Sequence, residues 1–463
     1  MHGVANMLST NASKPASAAD ISRLSRSFLS LRGDRRGSVS VIFGLIGLTL
    51  MLFIGAAVDM GRWLHAHSKT KEAVDAAVLA GARTLQVTGG NATEAETTAN
   101  SFYQSNVDSR PSVIDDSIAF KVGDDGKSVR ASGTAYIKTP FLSLVDIDRL
   151  PLWKDTGADQ SEASIALGSS DGKIEISMML DTTGSMAGQK IADLKVAAKG
   201  LVDIMLPDNG ATGDVRIAVA PFAETVRPGT NFLSNVRGSK KSSISVKDSS
   251  GRLQTYKLTE CVSERSGAAA YTDAVPSGSF DLVSPVYSKS GSCTPASSIL
   301  TLTSDKTQVK SVIDGLSASG GTAGHLGSAW AWYLLSPKWA SIWPTSSAPA
   351  AYGEAHVKKI AILMTDGEYN TQYDSSGVMT STSGLASVNG PSDVQARTVC
   401  QNMKASGITV YTVGFNLVEP NAISTLQQCA TEPGMAYLAQ NGSQLQNAFR
   451  DIAVKLTPLH LTN

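Results

Sequence analysis

The longest apolar stretch of the chain, VSVIFGLIGLTLMLFIGAAV, runs from Val39 to Val58 without a charged residue. Wound as a helix it would cover about 30 Å, the thickness of a bilayer's hydrocarbon core, and it predicts a transmembrane helix over 38–58. Immediately after it, MGRWLHAHSKTKEAVDAAVLAGARTL places Ala73, Ala77 and Ala80 with Val74 and Val78 at helical spacing, which extends the helix outward as a stalk. The small-residue face from Ala73 to Ala82 suits close packing, on the chain's own residues 100–160 in preference to another helix. His65 and His67, two apart, point away from each other on a helix and do not form a metal pair. Residues 117–144 alternate in strand fashion around a turn at Asp124 to Gly126, predicting a small hairpin-containing module.

From Lys173 the period changes repeatedly between strand and helix. IEISMML at 174–180, VRIAVAPF at 215–222, KIAILM at 359–364 and ITVYTV at 408–413 are short buried-strand runs. Ile191, Leu194, Ala198, Leu201 and Met205 recur with helical period, and further helices are expected near 306–316, 325–335, 393–405, 421–430 and 442–456. Such alternation predicts an α/β fold, a doubly wound parallel sheet with helices on both faces. The domain organisation is then a basic tail at 1–37, the membrane helix at 38–58, stalk and small module at 59–168, and the α/β domain at 169–463. A polar Gly/Ser-rich stretch around 157–173 marks the last boundary. Residues 224–298 lose the regular period and read as an insertion, and 370–392 as a second irregular stretch; both are candidate recognition loops.

Charge and cysteine content add orientation and compartment. The 463 residues carry 40 basic and 40 acidic side chains, so no electrostatic excess exists to hold nucleic acid. The tail at 1–37 nevertheless holds six Lys or Arg against two Asp, a net +4 beside the apolar run. By the positive-inside rule it stays cytoplasmic, and everything after Asp59 lies outside, which in a bacterium means the periplasm. Gly37 before the apolar run faintly suggests prepilin processing, but Ile42 stands where the acidic fifth residue belongs. Cys261, Cys293, Cys400 and Cys429 fall in two locally spaced pairs, Cys261 with Cys293 and Cys400 with Cys429 among three possible connectivities; four free thiols are the other reading.

Candidate chemistry gathers at predicted strand ends. LDTTGSM closes the first strand of the α/β domain, so Asp181, Thr183 and Ser185 occupy a turn where alternate residues face one point. Thr322 lies in SGGTAGHLG ahead of a helix, and Asp366 ends KIAILM in MTDGE. In an open parallel sheet the carboxyl ends of the strands border the ligand crevice. Two carboxylates and three hydroxyls form a hard oxygen set suited to Mg²⁺, Mn²⁺ or Ca²⁺, with a coordination position open to a partner's carboxylate.

The series Asp181-x-Thr183-x-Ser185, Thr322, Asp366 resembles the metal-ion-dependent adhesion site of von Willebrand factor type A domains, whose first motif carries Ser where this chain has Thr183. RRGSVSVIFGLIGLTLMLFIGAAVDMGRWLHAHSKTKEAVDAAVLAGAR is similar to the start of TadE/TadG-like proteins, and the whole arrangement resembles the TadG-like components of Flp (tight adherence) pilus assembly. The resemblance implies a non-enzymatic, single-pass protein of the bacterial inner membrane that binds a pilus or envelope protein through the metal, with no small-molecule substrate. The alternative is a structural scaffold assembled through the stalk helix, in which the metal only stabilises the fold. Among enzymes, DTTGS echoes the DKTGT of haloacid-dehalogenase-type phosphotransferases, but no paired Asp follows Gly367. Serine hydrolysis lacks a GxSxG, and His325 and His356 are expected to be ordinary residues. Trp330 and Tyr333 share a helix face and are expected in the core, whereas Trp339 and Trp343, beside Pro337 and Pro344, are expected on the surface.

Overall fold

The computed structural model describes residues 38–88, 90–107, 110, 113–124, 126, 128–154, 161–165, 173–206, 215–277, 283–457 and 459–462. The basic tail, Gly37, most of the expected boundary at 157–173 and Asp125 of the expected turn lie outside the described residues. The described chain divides into two compact units: Met1–Ala73 with Asn106–Ile118 and Ser132–Gln160, and Val74–Ser105 with Ala119–Ala131 and Ser161–Asn463.

One helix, α1 (Ser38–Val87), carries both the apolar run and the stalk, and α2 (Ala92–Val107) follows. The segment Val39–Val87 contains the one helix among the described residues long and apolar enough to cross a membrane. Five strands come next, β1 (Val113–Ile114), β2 (Ala119–Val122), β3 (Ser128–Ser132), β4 (Thr134–Lys138) and β5 (Arg149–Lys154). The predicted hairpin module is not one sheet. At Gly133 φ is +118°, and a Cβ there would lie 2.4 Å from the Ser117 carbonyl oxygen, so the run SVRASGTAYIKT breaks in two. β4 pairs with β1 and β5, while β3 lies between β2 and β6 (Glu162–Ile165) in a second sheet.

In the first unit, the three-stranded β1–β4–β5 sheet is antiparallel and sits beside α1, where the Trp63 indole donates to the Pro151 carbonyl at 2.7 Å. His67 stacks on Trp63 and pairs through Nδ1 with the Leu152 carbonyl. In the second unit, the stalk face is buried by the chain itself: Val74, Ala77, Val78 and Ala82 are buried, with Gly81 against Ala95 and Ala99 of α2 and Val129 of β3. The face thus packs on the chain itself, on Val129 within the expected 100–160 and on Ala95 and Ala99 just ahead of it.

The α/β domain begins with β7 (Lys173–Asp181), followed by α3 (Gln189–Met205), β8 (Val215–Phe222), α4 (Thr230–Arg237), β9 (Ser243–Lys247), β10 (Leu253–Val262), β11 (Pro285–Ser288), β12 (Leu300–Thr303), α5 (Lys306–Asp314) and α6 (Gly324–Tyr333). It continues with β13 (Val357–Thr365), a single helical turn at Thr380–Ser383, α7 (Ser392–Ala405), β14 (Thr409–Phe415), α8 (Pro420–Cys429), β15 (Ala436–Ala439) and α9 (Gly442–Leu456). The chain then returns as β16 (Leu459–Thr462), which pairs with β6.

Six strands form the central sheet in the order β12–β8–β7–β13–β14–β15, parallel except for β12, an antiparallel edge that the sequence pattern did not announce. Period-2 alternation along β7 sends Met178 and Leu180 to one face, with Leu194 and Leu201 of α3, Ile313 of α5 and Phe449 of α9. Met179 faces the other side, with Leu326 and Trp330 of α6 and Cys400 of α7. Residues 224–298 are not irregular: they fold into α4 and an antiparallel β11–β10–β9 sheet. Cys261 pairs with Cys293, and Cys400 pairs with Cys429, tying α7 to α8.

Candidate metal centre

Connection order decides where a site can form in this sheet. From β7 the chain steps outward to β8 and β12, then returns to the other side of β7 for β13 and moves away through β14 and β15. The two departures leave a crevice at the carboxyl ends of β7 and β13, the switch point of the sheet. Asp181 is the last residue of β7, and Asp366 directly follows β13.

The turn after β7 is built by its own side chains. Asp181 Oδ1 accepts from the Thr183 backbone N–H at 2.8 Å and from its hydroxyl at 2.6 Å, an Asx-type turn that brings alternate residues to one side. Thr183 Oγ1 lies 2.9 Å from Ser185 Oγ, and Ser185 Oγ donates to Asp366 Oδ1 at 2.6 Å. Four of the five expected donors are thus in direct contact.

The loop that carries Thr322 is bonded to this turn through its residues 319 and 320. The Gly184 N–H donates to the Gly320 carbonyl at 2.8 Å, and the Ser319 N–H to the Thr182 carbonyl at 2.8 Å. Gly320, at φ +88°, has no room for a side chain, since a Cβ would sit 2.3 Å from Thr294 Oγ1. The polar contacts of Thr322 itself are those of its backbone, with Asn370 and Thr371.

Two participants escaped sequence reasoning. The Thr365 hydroxyl donates to Asp181 Oδ2 at 2.6 Å, and Lys190 Nζ lies 2.8 Å from Asp366 Oδ2. Lys190 belongs to the first turn of α3, where a cation opposes the helix dipole. That misplaced sign was the available signal.

Electrostatics distinguish this cluster from an ordinary cap. Burial pushes the Asp181 carboxyl up to about 6, and the negative charge of Asp366 adds to the rise against the hydrogen bonds from Thr183 and Thr365. Of the two buried carboxylates only Asp366 pairs with an ammonium, that of Lys190, so the cluster carries an excess negative charge away from water. Among the described residues no group of three or more His, Cys, Asp or Glu gathers, so a soft nitrogen- or sulfur-rich centre is absent there. The donors that do gather, carboxylates and hydroxyls, fit a hard divalent cation.

Residues 287–451 match the von Willebrand factor type A domain model, and residues 37–84 match the Tad model, Flp pilus-assembly TadE/G-like. The chain carries a von Willebrand factor type A domain. A Tad segment lies ahead of it. No curated protein matches the chain. Among solved structures it is similar to the vWF domain of the type V pili tip protein Mfa5 from Porphyromonas gingivalis, at 16% identity and a TM-score of 0.38, over 62% of this chain and 96% of that one. It is also similar to the pilus adhesin SpaC from Lactobacillus rhamnosus GG, at 13% identity and a TM-score of 0.36, over 73% of this chain and 34% of the adhesin. A third is proximal thread matrix protein 1 from the mussel byssus with a zinc-occupied MIDAS motif, at 14% identity and a TM-score of 0.31, over 64% of this chain and 50% of that one.

Around the candidate centre of the type A domain, the two expected recognition loops form one platform. The Tyr287 N–H donates to the Gly377 carbonyl, the Ser249 N–H to the Ser383 carbonyl, and the Glu264 carboxylate accepts from the Tyr373 N–H. Glu224 Oε1 accepts from the Gly321 N–H and so joins this platform to the Thr322 loop. Glu224, Tyr287, Lys289 and Tyr373 help line a cavity of about 280 Å³.

His325 is more engaged than expected. Its Nδ1 lies 2.6 Å from Ser392 Oγ and its Nε2 3.5 Å from Glu264 Oε2, an acid–imidazole–hydroxyl row. All three residues are buried and Ser392 is the first residue of α7, so the row ties the insertion to the helix layer.

The expectation for Trp339 and Trp343 is corrected: both are buried. Trp339 stacks on Tyr333 at 4.3 Å between ring centroids, and Trp343 meets Phe232 edge-on. The turn at Pro337 folds the chain back onto α6, which is apolar on every side and needs covering all round. Each indole N–H finds a carbonyl, Trp339 on Asp273 and Trp343 on Tyr333, which makes burial of both rings affordable.

Proposed function

We propose that this protein is a non-enzymatic, membrane-anchored envelope component acting in Flp (Tad) pilus assembly or adherence, and that its type A domain binds a protein partner through Mg²⁺ or a similar hard cation. The carrying observation is the hydrogen-bonded oxygen cluster of Asp181, Thr183, Ser185 and Asp366 at the switch point of the sheet. Asp181, Thr183, Ser185, Thr322 and Asp366 would hold the ion, directly or through water. The ion would supply a positive centre for a carboxylate of the partner, while the platform of 224–298 and 370–392 reads the surroundings of that carboxylate. The topology follows the charge asymmetry: tail 1–37 in the cytoplasm, helix 38–58 in the inner membrane, stalk and small module 59–168 and type A domain 169–463 in the periplasm. Two disulfides in the exported part suit that compartment. Within the stalk that the scaffold reading would use, Val74, Ala77, Val78 and Ala82 are covered by the chain itself, which supports the adhesion reading over it.

The test is a thermal melt of the full chain in detergent with EDTA and with millimolar Mg²⁺ or Mn²⁺, beside Asp181→Ala. A ligand that binds only the folded state raises the transition, by about 2.7 kcal/mol at a hundredfold excess over Kd. The rise is expected in the native chain and absent in the variant. Equal melts with and without metal would sink the reading.

A further inference from the structure

The first unit carries a feature of its own. Between β4 and β5 the chain makes a turn, 141–147, around the short helical segment Leu142–Val145, and in it Phe141, Leu144, Val145 and Ile147 are 45%, 72%, 52% and 43% exposed. Turns between strands are ordinarily polar, because they face water. Four large apolar side chains within seven residues need an apolar surrounding.

The position of this turn along α1 is fixed. Asp59 is buried, and its Oδ2 accepts from the backbone N–H groups of both Phe141 and Leu142 at 2.8 Å each. The Phe141 ring lies against Gly55, where a Cβ would come 2.7 Å from the ring, so a larger residue at 55 would push the turn off the helix. Gly55 stands three residues before the end of the apolar run, so at 1.5 Å per residue it lies about 5 Å inside it. The helix residues at the same level, Ile54, Val58 and Met60, are themselves exposed. One turn further out Trp63 bonds to Pro151 through its indole N–H, the place and residue type of a membrane-interface anchor.

We infer that the turn 141–147 is a second membrane contact, an apolar wedge seated in the lipid at the periplasmic end of the membrane helix. The occupant is the bilayer, because the turn is pinned to a helix segment that is itself lipid-facing and continuous with it. The inference rests on the reading of Val39–Val58 as membrane-spanning. Two attachments a few residues apart, one a helix and one a turn held by Asp59, would prevent the first unit from swinging about α1 and set its angle to the membrane.

Among the described residues there is no free cysteine, so one can be introduced and labelled selectively. Leu144→Cys and, separately, Val145→Cys, Val41→Cys and Leu253→Cys are made in the full chain, spin-labelled and reconstituted in phosphatidylcholine vesicles with a fifth phosphatidylglycerol. Collision with oxygen, which concentrates in lipid, is compared with collision with a water-soluble nickel chelate. At 144 and 145 the oxygen-to-nickel ratio is expected within about threefold of that at 41 and at least about tenfold above that at 253, as burial at the lipid boundary requires. A water-like ratio at 144 and 145 with a lipid-like ratio at 41 overturns the wedge and leaves the anchor standing. A water-like ratio at 41 as well overturns the anchor and the wedge with it. Shielding from both agents with dipolar broadening between labels would place a second copy on the turn, and likewise overturn the lipid assignment.

Discussion

The strands β7 and β13 carry buried charge at both ends, and the two ends are balanced differently. Near their beginnings Glu175 is paired with Lys359 and Arg216 and also accepts from the Ala350 N–H, so one carboxylate meets two cations and a backbone donor. Lys359 further donates to the Leu335 carbonyl. Near their ends, the ammonium of Lys190 pairs with Asp366, while Asp181 is met by hydroxyl and backbone N–H donors. The first cluster is complete with the chain's own groups, whereas the second holds more negative charge than the chain compensates. Within one sheet, then, charge balance distinguishes a buried pair that holds the fold from one prepared for a cation.

The comparison breaks most visibly at Glu175. Glu175→Ala strands Lys359 among buried groups and is expected to cost about 3–5 kcal/mol, read by chemical denaturation and unaffected by Mg²⁺. An equal loss with and without metal supports the division of labour; rescue by metal would contradict it. At the other end the effect depends on pH. The Asp181 carboxyl has its folded value raised, to about 6 from an ordinary 3.8, so its contribution is fully present below about pH 4 and is lost as pH rises through 6. Without metal, native protein minus Asp181→Asn should therefore lose about 3 kcal/mol across that window. Saturating Mg²⁺ should flatten the difference, because the ion holds the carboxylate in its charged form.

Lys190→Met sharpens the comparison next. Removing a positive charge 2.8 Å from Asp366 Oδ2 should tighten divalent-ion binding by about tenfold, measured by titration calorimetry. Unchanged affinity would mean that the ammonium does not compete with the ion. Thr183→Ser is expected to do least, with less than about a threefold change in affinity, since the hydroxyl that bonds Asp181 is retained. A larger loss would give the Thr183 methyl group a packing role.

Much of this could be read in the linear chain. The strands at 174–180, 215–222, 359–364 and 408–413 appear at 173–181, 215–222, 357–365 and 409–415, and α3, α5, α6, α7, α8 and α9 fall where helical period placed them. Each is a continuous apolar or periodic run, whose pattern is set by local geometry. Asp181, Thr183, Ser185 and Asp366 were legible because they end such runs. Lys190 was not, since its partner is 176 residues away and a single lysine carries no period. Trp339 and Trp343 were misjudged because nearby prolines indicate a turn but not the surface on which the turn closes.

By itself the sequence determined the apolar helix, the alternation of strand and helix, the local spacing of the cysteines and the acidic and hydroxyl residues at two strand ends. These are properties of neighbours in the chain, governed by side-chain period, turn chemistry and charge. Tertiary structure alone decided that β12 joins antiparallel, that Gly133 divides one strand-like run between two sheets, and that residues 224–298 build a sheet of their own. It alone placed one lysine against the buried Asp366, and one apolar turn beside Gly55. Register, closure and charge balance depend on which distant segments meet, and that is settled by the packing of whole elements.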